Sequence, residues 1–435
     1  MPKMTLLWLL LYMGAGLFSF VNPIYGLLGY LLEYHLRPRL HWWGAVLPDF
    51  RWNLMIALVL GASYVLRSGS LPTLPSVKNP ALKWLLALGL LMIPVTLVLA
   101  VRPDRSFEFV WRFWTYIVVY LLIIGIVRTR WAFDAFFAAC IAGATIWGWN
   151  AYVDPARNAG RLAMVGSSDT LNDNLAAGHL LTILPMLMVY LLTKRGIVWR
   201  GSSLFALAFI VNLFILCNSR GATLGLGVAL VASLALVRSG QRIRWATLAI
   251  VTPVVLGVLL ADKAFIDRQQ TTSRYEQDAS ATGRLVSWQG AWRLLQDHPF
   301  GAGGRGFHEL SPIYIAEVVD EHEGELRSPH NTYALVASEW GFLGLALFLG
   351  FIGSSWLVCG RVRKLGLEPG DSYFYYRGMA LQLGLLGTMT AATFSDRFYG
   401  ESIYWICAMG IALSRIQAGE RAVPLERPVS DAQAA

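Results

Sequence analysis

The stretch Arg327-Ser328-Pro329-His330-Asn331-Thr332-Tyr333 closes a polar loop and runs directly into ALVASEWGFLGLALFLGFIG, residues 334–353. An apolar run of about twenty residues is long enough to cross a bilayer, so this segment predicts a membrane-spanning helix. Ser328 suits the cap of that helix, and Pro329 suits its first position, where a missing N–H costs nothing. His330 then falls in the first turn, among unpaired backbone N–H groups and in their positive field. That field disfavours imidazolium and keeps the ring able to accept a proton. The same helix end attracts phosphate. A neutral histidine beside an anion site at a membrane surface points to chemistry on a lipid-carried phosphate.

Composition extends the reading to the whole chain. Of 435 residues, 56% are hydrophobic and only 14% charged, and the mean hydropathy is +0.51. A soluble fold cannot hide so many apolar runs, so the chain reads as an all-α, polytopic membrane protein. Lysines and arginines number 36 against 27 acidic residues, a net charge of +9. Much of that excess falls in short loops, as membrane orientation requires, so nucleic acid is not the natural partner. The 17 tryptophans suit interfacial belts. Cys140, Cys217, Cys359 and Cys407 lie in or beside apolar segments, without metal-site spacing, and do not suggest disulfides. The first twenty residues carry a basic residue and an apolar run but no A-x-A cleavage site. They read as a retained first span.

About 12 spans are expected, near 4–20, 52–66, 82–100, 109–127, 131–148, 174–193, 202–218, 221–237, 244–261, 332–358, 377–395 and 402–415. The shorter run 22–36 contains Glu33 and reads as interfacial or re-entrant; making it a span would turn the N-terminus outward. Basic connections at Lys194–Arg200, Arg238–Arg244 and Arg361–Lys364, with Arg128, Arg130 and the tail beyond Arg415, mark the cytoplasmic side. Loops 149–173, 262–331 and 396–401 then face the other side, the periplasm of a bacterial inner membrane. The expected organisation is an N-terminal membrane bundle (1–261), a large loop (262–331), C-terminal membrane helices (332–415) and a cytoplasmic tail (416–435). The loop is too short and polar for an independent domain. Within it Leu285, Trp288, Trp292 and Leu295 recur at helical spacing, which predicts an amphipathic helix on the membrane.

Several side chains on that outer face are chemical candidates. Arg220, in Cys217-Asn218-Ser219-Arg220-Gly221-Ala222, lies in a sharp turn between spans, with Ser219 or Asn218 as the cap of the second. An arginine at membrane depth costs roughly 2.5–3.5 kcal/mol, so a snorkelling role is weighed below binding of an anionic headgroup. Arg284 opens the amphipathic helix. Its planar fork suits phosphate, but alone it reads as an ordinary solvent-facing arginine. Arg161, and Asn174 in Asn172-Asp173-Asn174, belong to another outward turn rich in donors. Asn331 adjoins His330. Glu339, inside the span, either orients a substrate or ties helices together. The acidic group around His322 (Glu317, Asp320, Glu321, Glu323 and Glu325) matches no metal-ligand pattern and reads as a solvated face. Gly301-Ala302-Gly303-Gly304-Arg305-Gly306 matches G-x-G-x-x-G but follows a helix, which defeats a dinucleotide reading and leaves a tight turn or a backbone anion nest. No metal, and no cofactor, is called for.

Taken in order, these pieces resemble the O-antigen ligase and O-antigen polymerase superfamily of bacterial membrane glycosyltransferases. The likeness runs from the Arg161…Asn174 turn through Asn218-Ser219-Arg220-Gly221 and His298-Pro299-Phe300-Gly301-Ala302-Gly303 to Pro329-His330-Asn331 and Glu339-Trp340-Gly341-Phe342-Leu343-Gly344-Leu345. The first third matches in hydropathy alone, and its Leu36-Arg37-Pro38 and Trp42-Trp43-Gly44 look like variants tied to protein O-glycosylation or exopolysaccharide systems.

The resemblance implies a metal-independent transfer of a glycan from undecaprenyl diphosphate to an acceptor hydroxyl of lipid A core, protein or another glycan. By that likeness Arg220 and Arg284 bind the diphosphate and His330 is the base, with inversion at the anomeric carbon. Arg305 is a departure, and would be a further diphosphate contact or merely exposed. Two rivals remain: a polymerase of the same superfamily, and a polysaccharide transporter or flippase. Transporters place ionisable groups near the bilayer midplane, whereas here they gather at one rim.

Overall fold

A computed structural model describes residues 2–155, 172–243, 279–367 and 372–422, with 157–158, 161–162, 165–167, 169–170, 245, 247 and 266 between them. The expected span 244–261, apart from residues 245 and 247, and the chain beyond 422 lie outside the described residues. Among those described, the architecture is helical. In chain order the helices are α1 (Lys3–Ser19), α2 (Pro23–His35), α3 (Trp52–Arg67), α4 (Pro80–Pro94, continued by a wider turn Val95–Leu99) and α5 (Pro103–Ile126). Next come α6 (Arg130–Val153), α7 (Asp173–Thr193), α8 (Ile197–Leu216), α9 (Arg220–Leu236) and α10 (Ala279–Asp297). The last are α11 (Gly306–Tyr314), α12 (Ala316–Asp320), α13 (Thr332–Leu365), α14 (Tyr373–Ala391) and α15 (Glu401–Ala422). A two-residue hairpin, Arg157–Asn158 with Arg161–Leu162, lies between α6 and α7.

Among the described residues six helices, α4 with its extension, α5, α6, α7, α8 and α13, are long and apolar enough to cross a membrane. The last two, α14 and α15, are less apolar because they face protein rather than lipid. Most of their side chains are buried, including Arg377 and Gln382 of α14, where polar groups find partners that lipid cannot supply. Local chemistry sets many helix starts. Asn22, Asn79, Thr129, Asn172 and Ser219 each accept a first-turn N–H, and proline follows the first two.

The two ends of the bundle differ. At one end Asp134 of α6 bridges Arg377 (2.8 Å) and Lys194 (2.7 Å), Arg363 donates to the carbonyl of Leu236, and Arg128 donates to that of Pro72. At the other end lie the starts of α7, α9, α13 and α15, all opening onto polar loops. Helix α2 corrects the sequence reading. Ten of its thirteen residues are buried, so it does not lie on a membrane surface. Ser19 meets Ser63 and Arg67 reaches the carbonyl of Phe20 at the basic end. Tyr34 instead reaches Asp169, and the carbonyl of His35 accepts from Trp147, towards the other end. Helix α2 therefore returns the chain across the bundle, and Lys3 starts at the same end as His330.

Helix α13 is broken at Gly341, whose φ is +73°. The break frees backbone groups that a lipid setting must satisfy internally. The loop after α10 does so: Ala302 and Gly303 N–H donate to the carbonyls of Ser338 and Glu339, and Phe342 N–H donates to that of Pro299. A Cβ at Gly341 would lie 2.6 Å from the backbone of Pro299 and Phe300. The G-x-G-x-x-G run is thus a docking loop. Its anion-nest option is taken up internally, since Arg305 N–H donates to the Glu339 carboxylate (2.7 Å) and Gly304 N–H to the Ser106 hydroxyl (2.8 Å).

The amphipathic α10 divides its apolar face. Leu294 and Leu295 enter the interior, while Leu285 and Trp292 stay exposed. Leu294 joins Ala291, Phe307, Ile315, Val318 and Val319 in a small core distinct from the main one.

Gly341→Ala should cost about 1–3 kcal/mol through its left-handed backbone and lost clearance, read as a melting temperature several degrees lower in detergent. Gly353→Ala, in the same helix with open space at its Cβ, should leave melting unchanged or slightly raised.

Candidate active site at the polar helix ends

The segment that opened the sequence reading folds differently in detail. Asn331, not Ser328, caps α13, with its side-chain oxygen accepting from the N–H of Tyr333 (2.9 Å) and Ala334 (3.1 Å). Pro329 therefore precedes the helix, and His330 sits one residue before the cap at φ +49°. The reason lies far along the chain. Asp396 accepts from the Ser328 hydroxyl (2.5 Å) and from Asn331 N–H (3.0 Å), and its Oδ2 lies 3.7 Å from His330 Nδ1. One carboxylate meets three of the four residues Ser328–Asn331 and turns the chain between them. The His330 side chain remains 46% exposed, whereas that of Asp396 is 20% exposed: the ring faces outward on an inward anchor.

Asp396 belongs to the loop Ser395–Gly400 between α14 and α15, and its neighbour Arg397 fixes that loop. Arg397 is fully buried, donating to the carbonyl of Leu175 on α7 and to the Ser402 hydroxyl of α15. The Thr332 hydroxyl donates to Ser395 O (2.7 Å) and accepts from Arg397 N–H (2.7 Å). The starts of α7, α13 and α15 are thereby tied to one loop.

The arginine-bearing elements gather on the same loop. Ser219 caps α9 and Asn218 takes φ +50°, so Arg220 is the first residue of α9. The next residue, Gly221, has no room for a side chain because Phe394 fills the space. Phe394 also meets Trp288 of α10 (ring centroids 6.0 Å), whose indole N–H donates to the carbonyl of Pro329 (3.1 Å). Arg284 lies one turn before Trp288 on the same side of α10. Asn174 joins through its side-chain oxygen, which accepts from the Ser219 hydroxyl (2.7 Å). Contacts therefore run from Asn174 to the Arg220 turn, through Phe394 to the Arg284 helix, and on to His330.

Two expected residues fall elsewhere. Glu339 is buried, with Oε1 accepting from Arg305 N–H and Oε2 from the Tyr399 hydroxyl (2.7 Å). Its bonds tie helix to loops, and eight residues of helix set it about 12 Å along the axis from Asn331. Arg305 directs its guanidinium to His308 (3.2 Å) and Glu309 (3.7 Å). Partial burial, with the charge of Arg305 beside it, holds His308 below the ordinary imidazole range and suits it to accept that bond. Arg161 opens the second strand of the short hairpin. The acidic residues around His322 are exposed, and among the described residues no group of three or more His, Cys, Asp or Glu is disposed to hold a metal ion.

Sequence reasoning missed Asp396 and Arg397. The available signal was an Asp-Arg pair in a six-residue loop between two apolar runs, where charge is costly unless partnered.

The fold and this rim of polar helix ends define a multi-pass helical membrane protein with a polar site at one end of its bundle. A family model described as O-Antigen ligase matches residues 204–349, which include Arg220, Arg284, His330 and Glu339. The match covers 146 of the 435 residues, and over that stretch the chain is similar to the O-antigen ligase family. No curated protein matches the chain.

Asp396→Ala should release the turn it holds. Loss of hydrogen bonds to a charged acceptor costs about 1.5–3 kcal/mol, so amide exchange at Asn331 should speed up by roughly tenfold or more. Exchange at the wild-type rate would show that Asp396 does not hold this turn.

Proposed function

We propose that the protein is a glycosyltransferase that moves a glycan from undecaprenyl diphosphate to an acceptor hydroxyl on lipid A core, protein or polysaccharide. The acceptor oxygen forms a bond to the anomeric carbon as the bond from that carbon to the diphosphate oxygen breaks. The lipid diphosphate leaves with the electron pair, and the acceptor proton passes to His330. Attack opposite the leaving group inverts the anomeric centre. Arg220 and Arg284 offset the charge that grows on the diphosphate, and a positioned base is worth typically 10²–10⁴-fold.

One observation carries this reading: His330 stands on Asp396, in a loop whose neighbour Phe394 meets both Gly221 and Trp288. Asp396 supplies a role the sequence did not suggest. A short rotation brings its carboxylate onto His330 Nδ1–H, which leaves Nε2 as the proton acceptor and favours the imidazolium that forms. In this reading the site faces the periplasm of a bacterial inner membrane, and the donor enters from the outer leaflet. In this reading residues 1–261 form the N-terminal bundle, 262–331 the large outer loop, 332–422 the C-terminal helices and the remainder the cytoplasmic tail, and adding α2 to the 12 expected spans makes 13 crossings.

His330→Ala should abolish transfer from purified undecaprenyl-diphosphate glycan while the protein stays inserted and monodisperse. Full activity in that variant would remove the base assignment. Arg220→Ala and Arg284→Ala should each raise the apparent KM for the donor or lower kcat, and lysine at either position should restore only part because it lacks the bidentate fork. Deleting the gene should leave long lipid-linked chains; single capped repeats would instead indicate a polymerase.

A further inference from the structure

A cavity of about 670 Å³ opens between α2, α3 and α5, and none of its lining residues lies within the O-antigen ligase match. Its upper wall carries Arg37, Arg39, Arg51 and Arg112, against only two carboxylates, Glu33 and Glu401. Asp49 pairs with Arg39, and the Arg112 guanidinium lies 5.2 Å from the Phe109 ring. Glu33 is buried and Glu401 accepts from the Tyr30 hydroxyl (2.5 Å), so the acidic groups form the back of the cavity.

Polarity changes along the cavity in a defined direction. Arg51 directly precedes α3, and Leu58 lies seven residues further on, about 10 Å along the helix axis. On α5, Val118 lies six residues beyond Arg112, about 9 Å away. Leu58 and Val118 are 60% and 52% exposed, so the lower wall opens sideways onto the lipid-facing surface. Trp52, Trp111 and Trp114 line the cavity within two residues of Arg51 or Arg112, where interfacial tryptophans belong. Cationic groups at the rim, aromatic rings beside them and an aliphatic side opening match the profile of a membrane amphiphile.

We infer that this cavity is a second binding site, separate from His330, which takes a lipid with an anionic phosphate headgroup: the phosphate on the arginines and the chains out past Leu58 and Val118. The excess of guanidinium over carboxylate selects the anion, and the open aliphatic side distinguishes a lipid from free phosphate. The inference does not depend on glycan transfer.

Native mass spectrometry of the detergent-purified protein tests it, with phosphatidylglycerol, phosphatidylcholine and inorganic phosphate as probes. Wild type should retain phosphatidylglycerol at least about tenfold better than phosphatidylcholine, and millimolar inorganic phosphate should not displace it. The double variant Arg51→Ala/Arg112→Ala should lose that preference. Ala57→Trp, which fills the cavity and leaves the charges, should also lose it. The control Arg195→Ala/Arg200→Ala, in the α7–α8 connection and the first turn of α8, should keep it. His330→Ala should keep it too, so a failed transfer reading leaves this result untouched. Undiminished phosphatidylglycerol retention in both cavity variants would overturn the proposal. So would equal retention of phosphatidylcholine, or displacement by phosphate alone.

Discussion

The Asp396 carboxylate, hydrogen-bonded to Ser328 and Asn331 and facing His330, is the interaction on which this end of the helix bundle depends. Four helix ends and a loop meet there, and each brings backbone groups that cannot be left unpaired near a bilayer. Asn331 satisfies the start of α13, Asn172 that of α7 and Ser219 that of α9. What remains is to hold these ends against one another, and Asp396 with Arg397 does so from a single loop. Remove the carboxylate, and the turn carrying His330 loses its anchor to the rest of the rim.

A second constraint acts deeper, at Gly341. Breaking a membrane helix exposes carbonyls and N–H groups, and here a loop from the preceding soluble segment enters to satisfy them. Glu339 finishes the junction by accepting from Arg305 and Tyr399. The loop Ser395–Gly400 therefore serves two sites at once: Asp396 under His330 and Tyr399 under the helix break. The geometry of the candidate active site is coupled through six residues to the packing of α13.

Much of this could be read from the chain. The apolar runs placed the six helices that are long and apolar enough to cross a membrane, because lipid-facing helices advertise themselves by composition. The Asn-Ser-Arg-Gly turn and the position of His330 at a helix start were local features. What failed was whatever depended on partners distant in sequence. Ser328-Pro329 looked like a cap followed by a first turn, but Asp396, 68 residues later, draws Ser328 away, and Asn331 takes the cap. Helix α2 looked interfacial because it is short and holds Glu33; its burial among other helices was not visible in its own sequence. Glu339 was balanced between substrate and packing, and its two hydrogen bonds place it in the protein framework. The cavity beside α2 left no motif, since its charges come from four separate segments.

The most direct test of the central claim is a cryo-electron microscopy map of the protein in lipid nanodiscs with undecaprenyl diphosphate bound. The account predicts diphosphate density between the first turns of α9 and α10, against Arg220 and Arg284, with His330 facing its open side. Diphosphate found only in the α2–α3–α5 cavity, or at the basic end beside Lys194 and Arg363, would contradict it.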